Sequence, residues 1–151
     1  MADVSFRPMR PEDQARVFQV WRRAVQATHH FLAQADFEEI STLVHDQYIP
    51  QAPLEVAVVD DRPVGFMGMT DLHVDSLFVD PDAMGQGIGR AFIDRARGRG
   101  APVTVDVNEQ NDGAVEFYRR LGFAVVDRSD LDDQGRPYPI LNLRDGDPPP
   151  N

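Results

Sequence analysis

The chain has 151 residues, no cysteine, a formal net charge of -10 and a pI near 4.7. Its length suits one domain with a core of its own, and the missing thiols exclude disulfides, thiolate metal sites and a cysteine nucleophile. The negative charge argues against non-specific binding to nucleic acid or an anionic membrane surface.

The opening MADVSFRPMR lacks an apolar signal region, and no apolar run approaches the length that spans a bilayer. A cytoplasmic location is therefore expected. All 15 basic residues are arginine, so no side chain carries an ordinary amine.

Val4 to Met9 reads as a short strand, and Pro11 with Glu12 and Asp13 suits a helix start. Apolar positions at Val17, Val20, Trp21, Ala24, Val25 and Thr28 form a helical stripe. A weaker helix covers about 36 to 48, punctuated by Pro50 and Pro53. Residues 54 to 72 read as a hairpin with its turn at Asp60 to Pro63. His73 to Val79 is a further strand, ended by Asp80 and Pro81.

A helix is expected from about Gly87 to Arg99, a strand over 102 to 107, and a helix from Asn111 to Leu121. Strands over 123 to 129 and 137 to 143 complete the order. Residues 1–144 thus read as one domain, and residues 145–151 as a loose, proline-rich tail. The βαβ middle implies parallel pairing and the hairpins antiparallel pairing. The fold class is α/β with a mixed sheet and helices on its faces.

Between strand and helix stands DAMGQGIGR, residues 82 to 90, with Gly85, Gly87 and Gly89 in five positions. Glycines admit a ligand close to the backbone, and the first turn of a helix offers N–H groups and a positive dipole end to an anion. Arg90 adds charge there. A phosphate-cradling P-loop needs a lysine, which this chain lacks. A dinucleotide fingerprint needs different glycine spacing. The pyrophosphate arm of coenzyme A, or a plain glycine-rich turn, remains.

Together with NEQNDGAVEFYRRLGF, this loop resembles the acetyl-CoA-binding core of the GNAT N-acetyltransferases. The matching residues are Val79, Pro81, Gly87 and Gly89, then Asn111, Ala114, Phe117, Tyr118, Gly122 and Phe123. Met84 stands where that family usually has Gln or Arg, which removes a side-chain contribution and leaves the backbone N–H groups. The stretches WRRAVQATHHFL, HVDSLFVDPD, VNEQN and GRPYPILNL are similar to a bacterial subgroup, the YjaB-type acetyltransferases.

The resemblance implies a GNAT-like fold, mostly antiparallel around a parallel βαβ core, with acetyl-CoA as co-substrate. Leu77, Phe78 and Val79 would pair with the pantetheine arm and polarise the thioester. Met84, Gly85, Gln86, Gly87, Ile88, Gly89 and Arg90 would hold the pyrophosphate. Asn111 would cap its helix and touch the pantetheine, and Tyr118 would act as general acid toward the leaving thiolate.

His73 and Asp75 alternate with Val74, so they share one strand face and are the candidates for receiving the proton of the attacking amine. His29 and Phe31 are candidates for lining the acceptor pocket. The four histidines lack ligand spacing, so no metal is expected. The expected acceptor is a small amine or a protein lysine that attacks the thioester directly, and the protein is expected to be a monomer or homodimer. A non-catalytic acyl-CoA sensor is the alternative, and an enzyme acting on charged tRNA is disfavoured by the charge.

Overall fold

In a computed structural model that describes residues 3–146, the chain opens with strand β1 (Ser5–Pro8). A 3-10 turn (Pro11–Asp13) leads into helix α1 (Gln14–Thr28). The buried Asp13 carboxylate accepts from the Arg10 N–H at 2.8 Å and from Arg7 at 2.6 Å, fixing the helix entry. The buried face of α1 is Val17, Val20, Trp21, Ala24 and Val25, as the periodicity predicts.

Helix α2 (Gln34–Leu43) runs through one π-helical turn (Val44–Tyr48) into α3 (Ile49–Gln51). Pro50 does not end this segment. It sits at the start of α3, directly after the π-helical turn in which the Ile49 N–H donates to the Val44 carbonyl. The chain leaves the helical path only at Ala52, whose extended ψ of 138° is the conformation preferred before Pro53.

Strands β2 (Glu55–Val59) and β3 (Arg62–Thr70) pair antiparallel around Asp60 and Asp61, both with positive φ (51° and 61°). The turn is thus tighter than its sequence indicates. Pro63 lies inside β3 opposite Val58, beside a register shift at Ala57/Val58 that accommodates its missing N–H. Strand β4 (His73–Val79) follows, then a 3-10 turn (Pro81–Ala83) and helix α4 (Ile88–Arg97). Strand β5 (Thr104–Asn108), helix α5 (Asp112–Arg120) and strands β6 (Ala124–Ser129) and β7 (Ile140–Arg144) complete the chain.

The strands hydrogen-bond in the order β1-β2-β3-β4-β5-β7-β6. β4 pairs parallel with β5, His73 opposite Thr104, while β5–β7 and β6–β7 are antiparallel. This is the mixed α/β sheet that the element order implies.

Among the described residues two compact units form, residues 3–69 with 76–92, and residues 70–75 with 93–146. The core of the first gathers Val17, Trp21, Phe37, Ile49, Leu54 and Phe66. Within it the Tyr48 hydroxyl meets Ser76 Oγ at 2.6 Å, directly over Gly68. In the second, Val105, Val107, Leu141 and Leu143 are the buried alternates of β5 and β7. Asp145, which composition groups with the tail, is held by Arg97 at 2.8 Å and by its own N–H to the Val103 carbonyl at 2.8 Å. The rest of that expected tail, residues 147–151, lies outside the described residues.

Candidate active site

Leu77, Phe78 and Val79 end β4 half-buried. The Phe78 carbonyl oxygen would lie 3.1 Å from a Cβ at position 65, so Gly65 lets the strand end settle against β3. The next residue anchors the loop. Asp80 is 2% exposed, and its carboxylate accepts from the Asp82 N–H at 2.9 Å and from Arg16 and Arg23 of α1, each at 3.1 Å. Burial pushes this acid up, but the Asp82 N–H, the Arg23 hydrogen bond and the two guanidinium charges leave it below its ordinary value.

Beyond that anchor the backbone opens. Gly85 and Gly87 both have φ of +79°, with nothing within 4 Å of where a Cβ would stand. Only glycine adopts that conformation without strain. Met84 is 46% exposed and Ile88 is buried, so Ile88 fixes the start of α4 while the loop before it faces outward. Exposed Arg90 stands in the first turn. An open glycine loop at the start of a ten-residue helix fits a ligand phosphate, through backbone N–H groups and a dipole.

In the second unit Asn111 caps α5, its side-chain oxygen accepting the Ala114 N–H at 3.2 Å. Tyr118 is buried at 5% exposure, edge-on to Phe117 (5.0 Å between centroids) and Phe123 (5.4 Å). Burial raises its phenol well above the ordinary value, so it is a proton donor throughout the neutral range. Gly122 has φ of +95° and donates to the Arg119 carbonyl, ending the helix as its sequence predicts.

His73 and Asp75 do share a face of β4, with different partners. Asp75 accepts from the Thr70 hydroxyl at 2.6 Å. His73 Nδ1 meets Thr104 Oγ1 at 2.7 Å, and its Nε2 lies 3.4 Å from Asp106 Oδ2. Asp106 Oδ1 accepts from the Asn142 amide at 2.9 Å. Thr104, Asp106 and Asn142 are absent from the sequence reading, although alternation in TVDVN and ILNL puts all three opposite the buried valines and leucines. What the sequence does not supply is the register that joins them.

His29 and Phe31, in the first unit, are half-buried with ring centroids 5.2 Å apart. Burial, then the neighbouring His30 charge, lowers His29 to about 4. Trp21 is core, stacked at 5.8 Å on Phe37. Among the described residues no cluster of three or more His, Asp or Glu is arranged to hold a metal. No described helix is long and apolar enough to cross a membrane.

Residues 17–137 match the acetyltransferase (GNAT) domain. Peptidyl-lysine N-acetyltransferase YjaB of Salmonella typhimurium is 49% identical over 141 residues, which are 93% of this chain and 97% of that protein. The solution structure of apo-form YjaB from Escherichia coli aligns with a TM-score of 0.90 at 45% identity, covering 94% of this chain and 97% of that one. YncA from Salmonella typhimurium, solved with its cofactor acetyl-CoA, shares the fold at a TM-score of 0.62 and 19% identity, over 93% and 92% of the two chains. This chain belongs to the GNAT acetyltransferase family and is an N-acetyltransferase.

Proposed function

We propose that the chain, as one catalytic domain over residues 1–144, moves the acetyl group of acetyl-CoA directly onto the side-chain amine of lysine in a cytoplasmic peptide or protein. Acetyl-CoA supplies the activated thioester. The pyrophosphate rests on the backbone of Met84, Gly85, Gln86, Gly87, Ile88, Gly89 and Arg90, and the pantetheine arm runs beside Leu77, Phe78, Val79 and the Asn111 amide.

The acceptor ammonium is drawn by Asp75 and loses a proton to His73. Its lone pair forms the N–C bond as the C–S bond breaks, the departing thiolate takes the proton of Tyr118, and the proton still on the acylated nitrogen restores the phenol. Backbone donors at the end of β4 steady the oxyanion. His29, neutral, and Phe31 line the path of the acceptor stem.

The observation that carries this reading is the glycine loop, whose φ-positive Gly85 and Gly87 face open space at the start of α4. The lysine acceptor draws support from the YjaB relative, which is named a peptidyl-lysine acetyltransferase and is matched over 97% of its length. The test is thiol release from acetyl-CoA with an N-terminally blocked peptide carrying one lysine, against spermidine and against the same peptide with arginine. Turnover confined to the lysine peptide is expected. Turnover with spermidine alone would replace the acceptor, and no acetyl-CoA turnover with either would overturn the reading.

A further inference from the structure

Four side chains from three strands form one connected row in the second unit. Asn142 on β7 donates to Asp106 on β5, Asp106 faces His73 on β4, and His73 meets Thr104 back on β5. The buried residues of these strands are their alternates Val74, Val105, Val107, Leu141 and Leu143, so the row lies on the other face. Fixing exposed side chains in one geometry costs rotamer freedom. Here His73 Nδ1 and Asp106 Oδ1 each hold a hydrogen bond, and His73 Nε2 lies 3.4 Å from Asp106 Oδ2, an ion pair once the imidazole is protonated.

We propose that Asp106, held by Asn142, is a positioning residue that sets the tautomer of His73, and that Thr104 passes the proton of the acceptor amine to His73, completing a proton relay. The proposal rests on His73 being the base of the reaction above.

The tautomer follows from the donors available. An ionised Asp106 only accepts, so the hydrogen of neutral His73 stands on Nε2, toward Oδ2. Nδ1 then carries the lone pair and accepts the Thr104 hydroxyl proton. As the ammonium gives a proton to Thr104 Oγ1, the hydroxyl proton of Thr104 passes to Nδ1. The freed amine attacks the thioester, and the imidazolium formed is balanced by Asp106 until it releases its proton to water. The other charged groups placed on this face by register are Asp75 on β4, Arg144 opposite Thr104, and Asp127 opposite Asn142. Arg144 is the one cation among them. The remaining charge is acidic, which suits a cationic acceptor.

The experiment has two independent readouts on the whole chain. Nitrogen–proton correlation spectra of the imidazoles at pH 8 report the His73 tautomer without any substrate. Steady-state turnover with acetyl-CoA and the blocked single-lysine peptide reports the relay. Asp106→Ala is expected to move His73 from the Nε2–H form toward a mixture. It is also expected to lower kcat about tenfold or more with an unchanged KM for acetyl-CoA. Asn142→Ala moves both readouts the same way by less. Because Asp106 and Asn142 are not core residues, both variants fold.

An unchanged tautomer and unchanged kcat in Asp106→Ala, beside a low kcat in His73→Ala, would overturn the positioning role and leave the base standing. Wild-type turnover by His73→Ala would overturn both.

Discussion

Arg23 of α1 and Asp80 at the end of β4 meet at 3.1 Å, and Arg16 reaches the same carboxylate oxygen from 3.1 Å. One buried acid thereby ties the first helix to the residue from which the glycine loop departs. Removing it strands Arg16, whose side chain is 17% exposed, and frees the Asp82 N–H. Asp80→Ala should cost about 2–3 kcal/mol, less than a fully buried pair because the Arg23 side chain is 40% exposed. The KM for acetyl-CoA should rise at the same time.

The folded acid sits below its ordinary value, so its contribution is complete above the unfolded-state value and is lost as pH falls through the folded one. Urea unfolding from pH 7 to pH 3 checks this, with Asp80→Asn showing the shallower loss. An Asp80→Asn curve parallel to the wild type would show that the carboxylate's charge contributes nothing.

The acid role proposed for Tyr118 needs its hydroxyl alone. Its ring is packed edge-on by Phe117 and Phe123, contacts that phenylalanine keeps. Tyr118→Phe should therefore leave acetyl-CoA affinity and thermal stability close to wild type while lowering kcat about 10²–10⁴-fold. Burial raises the phenol, so the wild-type rate should show no alkaline fall from this group up to about pH 10. Calorimetric titration with acetyl-CoA, beside a pH–rate profile, separates the two effects.

His29 also loses its contribution to stability on the acid side, in a window at higher pH. Burial holds it neutral, with a folded value lowered to about 4. The unfolded chain binds this proton first, so the contribution to stability is complete above about pH 6.5 and is lost as pH falls toward 4. His29→Gln should flatten the stability profile in that window, measured as the urea midpoint at pH 5 against pH 7.5. Equal slopes in the two proteins would mean that His29 is hydrated in the folded state.

What the sequence made legible was local. The stripe from Val17 to Val25, the Asn111 cap and the Gly122 stop each depend on neighbours within one helix, and each stands where periodicity and capping chemistry put it. The glycine loop was equally plain, because Gly85 and Gly87 announce a backbone that other residues resist.

The polar row was not legible. His73, Asp106 and Asn142 lie on strands joined by a parallel crossover and a return strand, and only the register fixes that Thr104 faces His73 and Asp106 faces Asn142. The Asp80 anchor was hidden for the same reason, since its partners on α1 stand 57 and 64 positions away. Pro50 misled in a third way, because a proline reads as a stop, whereas here the helical path runs through a π-helical turn and on past it.

Gly68 shows how closely the core of the first unit is fitted. A Cβ at this position would lie 2.5 Å from the Tyr48 hydroxyl oxygen, 2.8 Å from Leu54 Cδ2 and 2.9 Å from Ser76 Oγ. Three neighbours from a helical turn, a loop and β4 cannot all yield at once, and the Tyr48–Ser76 hydrogen bond would have to open. Gly68→Ala should cost about 1–3 kcal/mol by overpacking. Gly68→Ala combined with Ser76→Ala should recover part of that loss, because one of the three clashes is relieved. Denaturant titration of the single and double variants decides it, and strict additivity would show that the two positions do not share the space.

The absence of lysine bears on how the enzyme behaves alone. All 15 basic residues are arginine, whose guanidinium stays protonated and is no nucleophile at neutral pH. An enzyme that acetylates lysine usually risks modifying its own surface when concentrated with the donor. Here no side chain of the 151 residues offers an amine to acetylate. Incubating the purified protein with labelled acetyl-CoA at neutral pH should leave every internal tryptic peptide unlabelled after hydroxylamine, which removes esters at Ser, Thr or Tyr. Introducing a lysine at Arg144, which register places on the face of β7 opposite Thr104, should create a single labelled site if that face receives the acceptor. Stable label on several internal peptides of the wild type would contradict the direct-transfer chemistry, since it would require an acetyl acceptor that this chain does not contain.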